Sequence, residues 1–191
     1  MSLDLKNFFR NHKGFILLEF LVALSVFIVI IMVSGSLYVM SQRVYDTSED
    51  KMELAQNGRV AFDRITREIR QSVAIATPLA TSSSEATEEM MFQDGHNSDQ
   101  ITYIFYYLNG NELRRAKLVY FFEEEPDIYV KYNSTNEEGE LPESKVLEDK
   151  VVGEYFKGVG FWEENGLIHA SSTLENNDQN FKINTSVFSR N

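Results

Sequence analysis

The sequence predicts an α+β protein, with one long N-terminal helix followed by a C-terminal antiparallel β-sheet. Three observations carry this. Residues 15–33 form an apolar run broken only by Glu19 and Ser25. The next forty residues or so lack proline and repeat apolar residues at helical spacing, whereas beyond about residue 100 the pattern has period two and is cut by Asn-Gly turns.

At 191 residues, 43% hydrophobic and 25% charged, the chain has the composition of a folded protein with room for one domain and an appendage. It has no cysteine, which excludes disulfides and thiolate metal sites and leaves the redox compartment open. The net charge of −11 argues against nonspecific attraction of the body of the protein to nucleic acid or anionic lipid. Lys6, Arg10 and Lys13 against Asp4 make residues 1–14 basic, however, and the remainder is acidic. A basic start, an apolar run and an acidic remainder are the layout of a protein whose N-terminus stays in the cytoplasm and whose bulk is outside.

As a helix, residues 15–33 would span roughly 28 Å, about the hydrocarbon thickness of a bilayer. A secretory signal would have a shorter apolar core and a small-residue cleavage site, and Val33-Ser34-Gly35-Ser36-Leu37 is a poor one. A plain signal anchor fits the length but leaves Glu19 unexplained, because an unpaired carboxylate in lipid is unfavourable.

The stretch KGFILLEFLVAL (Lys13–Leu24) resembles the N-terminus of type IV prepilins and type II secretion pseudopilins. Gly14, Phe15, Leu17 and Glu19 match the family pattern, and Ile16 stands where threonine is common. The resemblance implies cleavage after Gly14 by a membrane prepilin peptidase and N-methylation of Phe15. It also implies pairing of Glu19 with the Phe15 amine of a neighbouring subunit. Gly14 suits a peptidase that binds extended backbone because it has no side chain to clash. Breaking a buried charge pair costs more than forming it gains, so the Glu19 pair would act mainly as a register check.

Leu37, Met40, Val44, Met52, Ala55, Phe62, Ile65, Ile69 and Val73 form a helical stripe joined by Ser48 and Gly58. The opposite face carries Asp46, Glu49, Asp50, Glu53, Arg64, Arg67 and Gln71, with Asp63–Arg67 and Arg64–Glu68 at i,i+4 spacing. One helix is therefore expected from Phe15 to about Ala76, ended by Pro78. Ser48 and Gly58 weaken a coiled-coil seam and favour docking onto a sheet. Gly35 and Ser36 mark a weak point near the membrane exit. Within this helix, QNGRVAFDRITREIRQS (Gln56–Ser72) is similar to a stretch of W-type minor pilins and J-type minor pseudopilins. A well-made amphipathic helix is the alternative, and Arg59, Arg64, Arg67 and Arg70 are expected on a solvated face.

Leu79–Gln100 is polar and reads as a mobile linker. Six short strands are expected after it. Ile101–Leu108 pairs through Asn109-Gly110-Asn111 with Glu112–Phe121, and Asp127–Tyr132 follows. Val151–Trp162 turns at Asn165-Gly166 into Leu167–Leu174, and Phe181–Phe188 closes the set. The expected layout is thus a leader (1–14), a transmembrane or filament-core helix (15–36) and an amphipathic helix half (37–76). A linker (77–100) and an antiparallel sheet (101–191) complete it, in what the resemblance identifies as a pilin fold.

His12, His96 and His169 lack neighbours at metal or general-base spacing, and no phosphate loop or nucleophile motif occurs, so neither enzyme activity nor a cofactor is expected. The acidic runs Glu123–Glu125 and Glu137–Glu140 lack the alternating oxygens of a calcium loop and read as solvated surface. Trp162, near Phe156 and Phe161, reads as sheet core. The resemblance implies as partners a prepilin peptidase, other minor and major pilin or pseudopilin subunits, an inner-membrane assembly platform and, before assembly, membrane lipid. It places the protein in the cytoplasmic membrane and then in an extracytoplasmic filament, possible systems being a pilus, type II secretion or DNA uptake. The competing expectation is a single-pass membrane protein with an outward binding or sensory domain.

Overall fold

The computed structural model describes residues 5–96, 100–177 and 179–188, with side chains described from Ile16 onward. It contains one long helix, α1 (Leu5–Gln71), and seven strands among the described residues. The strands are β1 (Met90–Gln93), β2 (Tyr103–Asn109), β3 (Glu112–Phe121), β4 (Glu143–Gly153), β5 (Phe156–Glu164), β6 (Leu167–Asn176) and β7 (Gln179–Val187). The chain divides into two units, Met1–Ser48 and Glu49–Asn191.

The first unit is helical. From Ile16 to Val44 its large apolar side chains are exposed. Two of its hydroxyls bond back to the helix: Ser25 Oγ donates to the Val22 carbonyl at 2.7 Å, and Ser36 Oγ donates to Met32 at 2.9 Å. These two side chains are thereby satisfied without water, as an apolar surrounding requires.

In the second unit the remainder of α1 covers two sheets, one in the order β1-β2-β3-β4 and the other β5-β6-β7, all antiparallel. The buried helix positions are Leu54, Gly58, Ala61, Phe62, Ile65, Glu68 and Ile69. At 100° per residue they fill one arc of about 120°. Phe62, Ile65, Ile69 and Gly58 belong to the stripe expected from sequence. Met52 and Val73 were expected on that stripe too, but they are exposed, and Leu54 and Ala61 lie on the arc instead. One core joins this arc to both sheets through Met90, Phe92, Ile104, Tyr106 and Leu113 on one side and Phe156, Val159, Phe161, Ala170 and Leu174 on the other. Gly58 allows the close approach, since a Cβ there would lie 3.3 Å from Leu174 and 3.5 Å from Phe181.

The helix ends at Gln71, earlier than Ala76, and Pro78 is not what ends it. The backbone beyond it bonds to β1 instead: Val73 N–H to the Gln93 carbonyl at 3.0 Å, Ala76 N–H to Met91 at 2.8 Å, and Gln93 N–H to Ala74 at 2.8 Å. Sheet pairing supplies the hydrogen bonds that another helical turn would have used.

Residues 77–100 correspondingly carry more than a linker. Besides β1, whose Met90 and Phe92 are wholly buried, they hold a 3-10 turn (Ser83–Glu85). Ala80 and Thr87 bridge to Trp162 and Phe161, so this segment covers the edge of β5 as residues 73–77 cover the edge of β1. Asp127–Tyr132 is not a strand; Val130 N–H to the Tyr120 carbonyl at 2.8 Å and Tyr132 N–H to the Tyr103 hydroxyl at 3.2 Å tie it down. Tyr132 packs edge-on against Tyr103, and its hydroxyl donates to the Ala76 carbonyl at 3.2 Å. β4 begins at Glu143, well before Val151.

The two-residue turns match the sequence reading. Gly110 (φ 60°), Asn165 (φ 54°) and Gly166 (φ 78°) take the left-handed conformations that such hairpins demand. Glycines elsewhere differ sharply in what surrounds them. A Cβ on Gly95 would lie 1.9 Å from the Gln71 carbonyl oxygen, whereas one on Gly158 would meet nothing within 4 Å. Gly95→Ala is therefore expected to lower the unfolding free energy by about 1–3 kcal/mol. Gly158→Ala should leave it unchanged or raise it by up to about 1 kcal/mol. Denaturant unfolding of the detergent-solubilised chain checks both.

Candidate functional site

The N-terminal motif lies on α1. Gly14 and Phe15 fall within the helix, but the side chain of Phe15 is outside the described residues. Glu19 is exposed, among the exposed Leu17, Leu18, Phe20 and Leu21, and has no hydrogen bond or ion pair among the described residues. Among those residues, one helix is long and apolar enough to cross a membrane, and its apolar window is wholly unburied. In the intact chain Phe15 is an internal residue. No α-amino charge stands there, so Glu19 gains a cation one turn away only after cleavage or from another molecule.

The second unit contains a buried ionic network that the sequence reading missed. Glu68, on the buried arc of α1, accepts from Arg115 Nε of β3 at 2.9 and 3.1 Å and from the Tyr106 hydroxyl of β2 at 2.7 Å. Arg64 Nε reaches the same carboxylate at 3.2 Å, bearing out the expected Arg64–Glu68 pair. Arg64 is only partly exposed, not fully solvated. Burial and then the adjacent Glu68 carboxylate push the Tyr106 hydroxyl pKa upward. For Arg115, burial opposes the charge, but the bonds to Glu68 prevail and hold its pKa above the usual guanidinium value. One signal is available in the sequence: Glu68 falls about 40° from Leu54 on the helical projection, at the border of the apolar arc.

A smaller cluster sits beyond the end of α1. Asp94, nearly buried, accepts from the His96 backbone N–H at 3.0 Å, lies 2.7 Å from His96 Nδ1, and is 3.4 Å from Lys117 Nζ. Burial works against its ionisation, but the His96 bonds and the Lys117 charge outweigh it, and the carboxyl pKa is lowered.

The other singled-out residues are dispersed. Phe156 and Phe161 are core, but Trp162 is half-buried and stacks on His169 with ring centroids 5.1 Å apart, contrary to its expected core position. Strand alternation explains this, because Phe161 points inward and its neighbour must point outward. The acidic runs meet around a hollow of about 410 Å³ lined by Glu124, Glu125, Glu137 and Glu138 with Phe122 and Asn136. No grouping of three metal-ligating side chains occurs among the described residues. No family model, curated protein or solved structure matches the chain.

Two predictions follow from these networks. Glu68→Ala takes from the buried Arg115 the carboxylate that its bonds reach and is expected to cost about 3–5 kcal/mol. Arg115→Ala leaves Glu68 with Arg64 and Tyr106 and should cost less, about 1–3 kcal/mol, as should Tyr106→Phe; chemical denaturation measures all three. Asp94 has a depressed native pKa, so its contribution is present above its unfolded value of about 3.9 and disappears as pH falls through the lower native value. Asp94→Asn should therefore be less stable than wild type at pH 7, and the gap should shrink below about pH 4. Thermal unfolding against pH reads it.

Proposed function

We propose that this chain is a minor pilin or pseudopilin subunit that enters an extracytoplasmic filament through its N-terminal helix. In this reading a prepilin peptidase cuts after Gly14 on the cytoplasmic side, and the new Phe15 amine is methylated. Before assembly the apolar helix resides in the cytoplasmic membrane. The observation carrying the proposal is the series Lys13-Gly14-Phe15 and Glu19 at the head of a helix whose apolar stretch has no cover of its own. A side chain such as Ile31 or Val33, more than half exposed, is stable only in lipid or against other helices.

The carboxylate then acquires a physical role. In the intact chain Glu19 stands well inside α1, where both helix ends are distant. Cleavage after Gly14 would create a helix start one turn away, bringing a free ammonium group and the positive end of the helix dipole close to it. A neighbouring subunit's ammonium group, meeting Glu19 at the correct stagger, would remove two charges from an apolar setting, and an incorrect stagger would leave both unpaired. The likeness of Gln56–Ser72 to W- and J-type subunits supports a priming or tip position, in a pilus or a type II secretion pseudopilus.

The test is N-terminal mass spectrometry of the protein from cells with the cognate peptidase. The wild type should begin with methylated Phe15, and Gly14→Ala should retain residues 1–14. Glu19→Ala should be processed normally yet fail to co-purify with filament subunits. A wild-type protein that retains Met1–Gly14 would instead favour a single-pass anchored binding or sensory protein.

A further inference from the structure

The outer strand of a sheet presents backbone groups that a further strand can bond, and this fold treats its four outer strands differently. Residues 73–77 cover the edge of β1, and Ala80 and Thr87 bridge to the edge of β5. β4 is interrupted by two register shifts and carries charges along its length. β7 has none of these protections. Its nine residues pair with β6 without a shift, contain no proline and include one charge, Lys182. Among the described residues, no backbone group outside β6 bonds to it.

Which of its groups stay free follows from the hairpin. Asn176 and Gln179 are the closing pair, and hydrogen-bonded and non-hydrogen-bonded pairs alternate from there. The N–H and C=O groups of Asn180, Lys182, Asn184 and Ser186 therefore point away from β6, in a row about 20 Å long.

Side chains extend the same edge. Phe181 and Ile183 pack against the core yet stay half-buried, because no strand lies beyond them. The alternate residues of β7 are exposed, and Phe188, directly after the strand, is 66% exposed. A strand added here would cover the open flanks of Phe181 and Ile183 with every second residue and leave the others in water. It must therefore alternate apolar and polar side chains.

We propose that β7 accepts an extended segment of another protein as an added antiparallel strand, recognised by backbone pairing and by that alternation. A second copy of this chain suits the edge less well. Its β4 is shifted and charged. Its own β7 would have to pair through a two-fold axis normal to the sheet, which reverses α1 along with the sheet it covers, whereas copies sharing one membrane run the same way. The proposal stands apart from the filament reading, since the edge would serve an anchored binding protein equally.

The probe that tests it is a synthetic peptide copying β6, Leu167–Asn176, which has the required alternation and already pairs with β7 inside the chain. It is added to the full chain in detergent, and amide hydrogen exchange is followed by NMR. Exchange at Asn180, Lys182, Asn184 and Ser186 is expected to slow about tenfold or more. Asn184→Pro removes one free donor and obstructs the edge while keeping the bonds to β6, and should abolish the slowing. Near-ultraviolet circular dichroism confirms that this variant is folded. With the wild-type chain, two peptides N-methylated on opposite sets of alternate residues should differ, one losing binding and the other keeping it. No slowing with the plain peptide, or slowing that persists in folded Asn184→Pro and with both methylated peptides, would overturn the proposal. So would dimerisation of the chain alone that Asn184→Pro abolishes, because it assigns the edge to a second copy.

Discussion

The folded unit depends on one arc of α1. Among the described residues, neither sheet has a second layer of its own and no strand ladder joins them. Both close on Leu54, Ala61, Phe62, Ile65 and Ile69, which are almost wholly removed from solvent. Burial of a side chain of this size contributes about 1.5–3 kcal/mol, so the helix is a structural layer as well as a stalk. The same helix upstream presents apolar residues with no cover at all. A single continuous element thus faces two solvents, protein interior in one part and an apolar environment outside the chain in the other.

Apolar contact alone would let a helix slide or rotate over a sheet. Glu68 opposes that. Its carboxylate meets Arg115 and Tyr106 on adjacent strands, and a slip of one helical turn would leave three buried polar groups without partners. Replacing such a network with hydrophobic residues can increase stability, so its value here lies in fixing one arrangement. Among the described residues, no buried side-chain nitrogen or oxygen lacks a partner, which is the condition for such a network to help.

Local chemistry made the α+β class legible: apolar length for the first half of the helix, Asn-Gly pairs for the hairpins, and Phe62, Ile65 and Ile69 for the docking face. What escaped detection depended on partners distant in sequence. The helix ends at Gln71 because β1 takes the next backbone bonds, and β1 was hidden because Met90-Met91-Phe92 is a short apolar island in a polar segment. Glu68 was paired with Arg64 on paper, which concealed its position on the buried arc. Trp162 shows the opposite case, where strict alternation beside Phe161 would have placed it outward. Gly14, Phe15 and Glu19 stand out through a motif alone, and the roles proposed for them concern other molecules.

Sheet edges have a consequence of their own. The chain after α1 shields β1 and β5, but β4 keeps an open edge eleven residues long with exposed Val146, Leu147 and Val151. Its register against β3 shifts twice, at Leu147 and at Val152, with Glu148, Asp149 and Lys150 between the shifts and Lys145 just before them. Each shift twists the backbone away from a flat template, and each charge would lose water on pairing with another strand. Molecules crowded side by side can therefore touch along this edge without fusing into a runaway cross-β ribbon.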